Sequence, residues 1–265
     1  MTSMQRHVWL DLLEASGTRS GLYHLDVVVD QAGSNAPLLP SVLSVEPPLQ
    51  WRSLFTGLPE EGASELAPLL LRIDLTQPLQ RQWLGGLMHE ARDRSQLMVL
   101  ASPWLFPALA EHLGRCLEVT NGGCTGLLRY YDPRLFPLLF SHVLEPAQQQ
   151  LLLRPAVFWS WLDRDGVPGH LPGAPGEPLG SEDFRPLDLS DSQLEVLGCA
   201  SDATLAMSKL LAARPATYGN EQFFHQCYAA MLDATEAGLL LGPEREAFVL
   251  KRLLAPESTA FNRGK

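Results

Sequence analysis

The sequence predicts an α/β fold: a mixed, partly parallel sheet with flanking helices in an N-terminal lobe, followed by a small all-helical C-terminal lobe. Three observations carry this reading. Apolar runs of strand character, LYHLDVVV, ELAPLLLRID, QLMVLA and RPAVFWSWL, alternate with helix-period segments as far as Leu162. A strand-to-helix unit occurs twice in succession, Ser102-Pro103-Trp104-Leu105-Phe106-Pro107-Ala108-Leu109 paralleling Asp132-Pro133-Arg134-Leu135-Phe136-Pro137-Leu138-Leu139, with His112 matching His142. Successive strand-helix units favour parallel pairing. After Ser190 the apolar residues keep helical spacing alone. The expected organisation is therefore an α/β lobe over residues 1–162, a Gly/Pro-rich acidic linker or loop over 163–189, a helical lobe over 190–256 and a frayed tail over 257–265.

Taken in order, Met4–Ala15 reads as an amphipathic helix with Val8, Trp9, Leu12 and Leu13 on its apolar stripe, ended near Gly17. Gly21–Val29 is the first strong strand, and Asp26 and Asp30 put two carboxylates toward its end, a pair conceivable for acid/base work but with no basic partner nearby in sequence. Asn35–Leu43 reads as a helix, followed by a loop containing Trp51, Phe55 and Gly57. Glu65–Asp74 is a second buried strand, with Pro68 suited to an edge or a strand start. Thr76-Gln77-Pro78 opens a helix carrying Leu79, Trp83, Leu87 and Ala91. Its Gly85-Gly86 pair costs about 1 kcal/mol per glycine relative to alanine, which suggests close packing against another backbone.

The two repeat units follow, with strands at Gln96–Ala101 and Gly126–Tyr131. In the second, Asp132 is read as a carboxylate cap and Pro133 as the first helical residue, so that Arg129, Asp132 and Arg134 meet at a strand-to-helix corner. Pro137 would then fall near the fifth helical position and bend the helix. In Arg154–Leu162, Val157, Trp159 and Trp161 alternate against Phe158 and Ser160 as in a strand. Residues 163–189 hold six acidic and two basic side chains among many Gly and Pro. Beyond them, Ser190 with Gln193 forms a capping box that opens a helix to about Ala213. A second helix from Asn220 carries Phe223, Phe224, Cys227, Tyr228, Met231 and Leu232, and a third from Pro243 carries Phe248, Lys251 and Leu254. Phe223, Phe224, Tyr228 and Phe248 are candidates for a partner groove, with packing on the first lobe as the plainer alternative.

With 265 residues and 46% hydrophobic content the chain can bury a sizeable core. Thirty acidic against 20 basic side chains give a formal charge of −10, a poor match to nucleic acid. No run reaches the length of a membrane span, so a cytoplasmic protein is expected. Cys116, Cys124, Cys199 and Cys227 form no C-x-x-C pair and no zinc spacing, and read as reduced thiols. The seven histidines form no metal motif, and no phosphate-cradling glycine loop is present. No cofactor or metal is expected. Gly122-Gly123-Cys124-Thr125-Gly126 has the G-x-C-x-G spacing of a thiol nucleophile elbow, but an elbow needs a helix directly after it and Leu127–Tyr131 reads as a strand. A turn made by the glycines is the simpler reading.

The strand order, the helix with Trp83, the run GLLRYYDPRLF and the FWSW strand together resemble the type VI secretion effector adaptors, the Tap or TEC proteins. The signature Arg129, Tyr130, Tyr131, Asp132, Pro133, Arg134 carries the likeness, over roughly residues 20–165. The resemblance implies a non-enzymatic adaptor or chaperone whose partners are a toxin effector and the VgrG spike. On that reading the six-residue corner is either a structural ion network or a partner-facing charge cluster. Two alternatives come from other classes: a cysteine-dependent hydrolase or glutaminase using Cys124, and an immunity protein that blocks a toxin.

Overall fold

A computed structural model describes residues 3–32, 37–91, 95–180, 182–239 and 242–254. The chain divides into two compact units, Met1–Leu189 and Ser190–Lys265. In the first, α1 (Ser3–Arg19), β1 (His24–Val29), α2 (Leu39–Leu43), β2 (Gln50–Ser53), β3 (Leu69–Asp74), α3 (Pro78–Glu90), β4 (Leu97–Ala101) and α4 (Phe106–Arg115) come in that order. The hairpin strands β5 (Glu118–Asn121) and β6 (Cys124–Leu127) follow, then α5 (Phe136–Leu138), α6 (Pro146–Leu153), β7 (Phe158–Leu162), β8 (Pro168–Pro172) and β9 (Leu187–Asp188). This is the expected α/β region ahead of a helical C-terminal segment.

Parallel pairing is far more restricted than the two strand-helix units suggest. The main sheet runs β2-β3-β1-β4-β7-β8, and all of its pairs among the described residues are antiparallel. β3 and β4 do run the same way, joined by α3 as a helical crossover requires, but β1 sits between them and opposes both. The second repeat supplies no main-sheet strand. β6 pairs with β5 in a separate three-stranded sheet, where β9 adds the parallel contact Val119↔Leu187 and Thr120↔Asp188.

The register divides the main sheet into two buried faces. Leu25, Val27, Val29, Leu69, Leu71, Ile73, Leu97 and Val99 point to one side, where Trp9, Leu10 and Leu13 of α1 and Leu84, Leu87 and Met88 of α3 complete a core. On that side the Trp9 indole donates to Ser160 Oγ at 2.9 Å. On the other side Trp159 and Trp161 pair with Leu100 and Met98. There Phe136 lies 5.1 Å from the Trp159 ring, and Trp159 donates to the Leu152 carbonyl of α6. Helices therefore cover both faces, which explains why the central strands are apolar throughout instead of alternating.

Two helical stripes are rotated from their expected positions. In α1, Trp9, Leu10 and Leu13 are buried while Val8 and Leu12 are exposed. In α3 the buried set is Gln80, Leu84, Leu87 and Met88, and Leu79 is exposed. Gln80 is buried because its amide bridges two chain segments, accepting from Asp74 N–H and donating to the Pro47 carbonyl. Gly85 and Gly86 do not meet another backbone: a Cβ built on either finds no atom within 4 Å.

Residues 163–189, Gly/Pro-rich and read as linker or loop, contain β8 and β9 within the first unit. β8 pairs along β7, and its prolines, Pro168 and Pro172, fall at the ends of an edge strand. A Cβ on Gly169 would lie 2.4 Å from the Trp161 indole, and one on Gly173 would lie 1.8 Å from the Ala156 carbonyl oxygen. These glycines make room for neighbours; they are packing residues.

The second unit holds α7 (Asp191–Lys209), α8 (Asn220–Glu236) and α9 (Gly242–Leu254). Ser190 and Gln193 form the expected reciprocal capping box. Arg245 of α9 is buried and ties the three helices, reaching Asp202 Oδ2 at 3.2 Å on α7 and Thr235 Oγ1 at 2.9 Å on α8. The expected frayed tail, 257–265, lies outside the described residues.

Candidate functional site

The corner grows out of the β5–β6 hairpin. Gly122 and Gly123 both have positive φ, 54° and 85°, as a two-residue primed turn demands. Cys124 is exposed and opens β6, so strand follows strand at the thiol and the helix that an elbow needs does not begin there. Strand character stops at Leu127, short of the expected Tyr131. Leu128, Tyr130 and Tyr131 are all buried, which breaks the two-residue alternation of a strand, and the chain turns through Tyr130 N–H to Leu128 C=O and Asp132 N–H to Arg129 C=O.

The two rings anchor the corner. Tyr130 Oη donates to the Leu113 carbonyl of α4 at 2.9 Å and its ring meets Tyr131 and Trp159 edge-on. Burial pushes the Tyr130 hydroxyl well above its ordinary value. It pushes that of Tyr131 up to about 12, against the opposing pull of Arg129. Both stay neutral at physiological pH.

Asp132 caps a turn, and the helix starts later than expected. Its Oδ1 accepts from the Arg134 N–H at 2.9 Å, an Asx turn, and its carboxylate receives the Arg134 guanidinium as a fork at 2.9 and 2.7 Å. α5 begins at Phe136, which makes Pro137 the second helical residue, where its missing N–H breaks nothing. The distortion comes further on, as a single π turn over Leu139–Val143 closed by Leu144 N–H to Leu139 C=O at 2.7 Å. Pro133 is buried, and Leu97 and Leu162 line the small cleft it helps to form.

Arg129 reaches back to the residue that follows β1, its Nη2 donating to Asp30 Oδ2 at 2.5 Å. Asp30 is buried and also accepts from Ala32 N–H. A second such link supports the first repeat: Asp26, fully buried, takes the Arg72 fork at 2.7 and 2.9 Å, and Arg72 donates onward to the Trp104 carbonyl. Burial raises the Asp26 carboxyl while Arg72 works against that shift. Asp26 and Asp30, suspected as an acid/base pair, each have an arginine partner from a distant segment. The available signal was the spacing itself: two buried carboxylates, one within and one just after an otherwise apolar strand, need cationic partners.

The corner thus has a buried half and an exposed half. Carboxylates, rings and Pro133 lie inward, while the side chains of Arg129 and Arg134 remain 47% and 44% exposed. Arg164 joins this edge by donating to the Arg134 carbonyl. In the second unit Phe223, Phe224 and Tyr228 are buried, Phe224 stacked on Tyr228, and Phe248 is half-buried. The first three form no open groove, because α7 and α9 pack on α8. Among the described residues no cluster suited to a metal ion occurs and no helix is long and apolar enough to cross a membrane.

No curated protein and no solved structure matches the chain. Residues 27–151, from β1 to α6 and including both repeat units and the corner, match the family model described as Domain of unknown function (DUF4123). This segment, just under half of the chain, is similar to that family, which is known as the type VI secretion effector adaptor (Tap/TEC) domain.

Proposed function

We propose that this chain is a non-enzymatic adaptor that binds a type VI secretion toxin effector in the cytoplasm and helps load it onto the VgrG spike. The family match over residues 27–151 supports the reading, and the corner supplies a surface suited to it: two half-exposed guanidinium groups, each paired with an inward-lying carboxylate, in a chain of net charge −10. The outward edges of such paired guanidiniums keep N–H donors free for carboxylates or carbonyls of a partner. The hairpin position of Cys124 speaks against the thiol hydrolase.

The test is capture of the tagged chain from cells with active type VI secretion. The expected result is one toxin-like polypeptide together with VgrG, and lower recovery at raised salt or with Arg134→Ala, which leaves Tyr130, Tyr131 and Asp30 in place. Recovery of neither polypeptide overturns the adaptor reading. Co-expression separates the adaptor from an immunity protein, since only the latter abolishes the toxin's activity.

A further inference from the structure

α3 has a second helical stripe beside its buried one. Leu79, Trp83, Gly86 and Glu90 recur at spacings of four, three and four, and with Leu38, Val45 and Glu46 opposite them they line a groove of about 430 Å³. Leu79 is 57% exposed there. The Trp83 indole is held in place by donating to Ser41 Oγ of α2 at 3.0 Å. These four positions span twelve residues, and their eleven rises of about 1.5 Å make a trough of about 16 Å, the length of about three helical turns.

The floor of this trough is glycine without an internal reason. Gly86 is exposed, has no positive φ, and a Cβ on it would meet nothing within 4 Å, as is true of Gly85. Glycine weakens a helix interior relative to alanine, and its use is to let another backbone come close. The charged residues among those lining the groove are Glu46 and Glu90, both acidic. A second copy is disfavoured by the same charges, because a twofold contact through this groove would bring its glutamates toward each other.

We infer that the groove between α2 and α3 takes a basic amphipathic α-helix of about three turns from the partner, its apolar face on Leu79 and Trp83, its backbone over Gly86 and its Lys or Arg side chains at Glu46 and Glu90. Taking that partner to be the toxin effector rests on the adaptor reading; the groove's chemistry does not.

The test uses the full chain and two fluorescein-labelled synthetic helices of fourteen residues, one of Leu and Lys and one of Leu and Glu. Wild type is expected to bind the Leu/Lys helix at least about tenfold more tightly than the Leu/Glu helix. Gly86→Trp is expected to lower that affinity at least about tenfold with its thermal midpoint retained, and Glu46→Gln with Glu90→Gln to weaken it and flatten its salt dependence. Gly86→Ala, which adds one methyl to open space, is expected to raise the midpoint and so controls for folding. Equal binding of the two helices by wild type, or of the Leu/Lys helix by wild type and folded Gly86→Trp, overturns the inference. So does a concentration-dependent dimer that Gly86→Trp abolishes. The two readings fail separately: toxin recovered equally by wild type and Gly86→Trp removes the groove and keeps the adaptor, whereas groove-dependent peptide binding without any toxin recovered does the reverse.

Discussion

The two corners, Ser102–Leu109 and Asp132–Leu139, begin alike and end differently. In both, the first side chain accepts the N–H of the third residue, Ser102 Oγ from Trp104 at 3.2 Å and Asp132 Oδ1 from Arg134 at 2.9 Å. In both, the helix starts at phenylalanine with proline second. Each corner is also tied to β1 or its end through an arginine, Arg72 on Asp26 within the strand for the first and Arg129 on Asp30 just after it for the second. Yet the first follows the buried strand β4 and opens a regular ten-residue helix, while the second follows the exposed strand β6 and gives one α turn that passes into a π turn. The local code sets where a helix starts; what the flanking chain packs against sets how far it runs.

The largest effect should come from the phenylalanines. Phe136 is fully buried against Phe140, Trp159 and Trp161, whereas Phe106 keeps a little exposure beside Arg72. Phe136→Ala is expected to cost about 4 kcal/mol and Phe106→Ala about 3 kcal/mol. All six tryptophans lie in the first unit, so urea unfolding followed by tryptophan fluorescence reports on it alone. If Phe106→Ala proved the costlier change, the irregular second helix would not be the better anchored one.

The arginine links should rank the other way. Arg72 is nearly enclosed and its removal strands a fully buried Asp26, so Arg72→Gln is expected to cost about 3 kcal/mol. Arg129 is half exposed and Asp30 keeps the Ala32 N–H, so Arg129→Gln is expected to cost about 1 kcal/mol by the same unfolding measurement. Equal losses would mean that the second corner is as much a structural lock as the first, leaving less of it for a partner.

Much of this was legible in the sequence. The FWSW strand showed its two faces by alternation, the Ser190 capping box by its spacing, and the corner signature by its residues. What stayed hidden has physical causes. The α3 stripe drifted because Gln80 is buried through backbone bonds that no hydropathy pattern records. Residues 163–189 read as linker because glycine for close packing and glycine for freedom look the same in one sequence, and only the Trp161 indole over Gly169 distinguishes them. Sheet order was invisible because β1 enters between β3 and β4 from elsewhere in the chain. The arginine partners of Asp26 and Asp30 lie 46 and 99 residues away.

The turn-capping side chains offer a smaller and cleaner comparison. Ser102→Ala and Asp132→Ala each remove the bond to the third residue's N–H, and each is expected to cost about 1 kcal/mol. Asp132→Ala also frees Arg134, but that pair is exposed enough to add little. A much larger loss at Asp132 alone would show that its fork with Arg134, and not the turn, holds the second corner.

At neutral pH the last difference between the copies is silent. His112 is buried between Trp104 and Phe184, and its Nε2 donates to the Leu151 carbonyl at 2.7 Å, while the matching His142 is exposed. Burial lowers the His112 pKa, opposed by that hydrogen bond and assisted by Arg115 and Arg154. The unfolded chain therefore takes up a proton that the folded one refuses. The contribution is complete above the ordinary histidine value of about 6.5 and is lost as pH falls through it toward the lowered folded value. Stability measured by tryptophan fluorescence across pH 8 to 5 should decline on the acid side, with His112→Gln removing part of the decline. An unchanged acid limb in His112→Gln would place the proton uptake on another group and leave the two histidines equivalent.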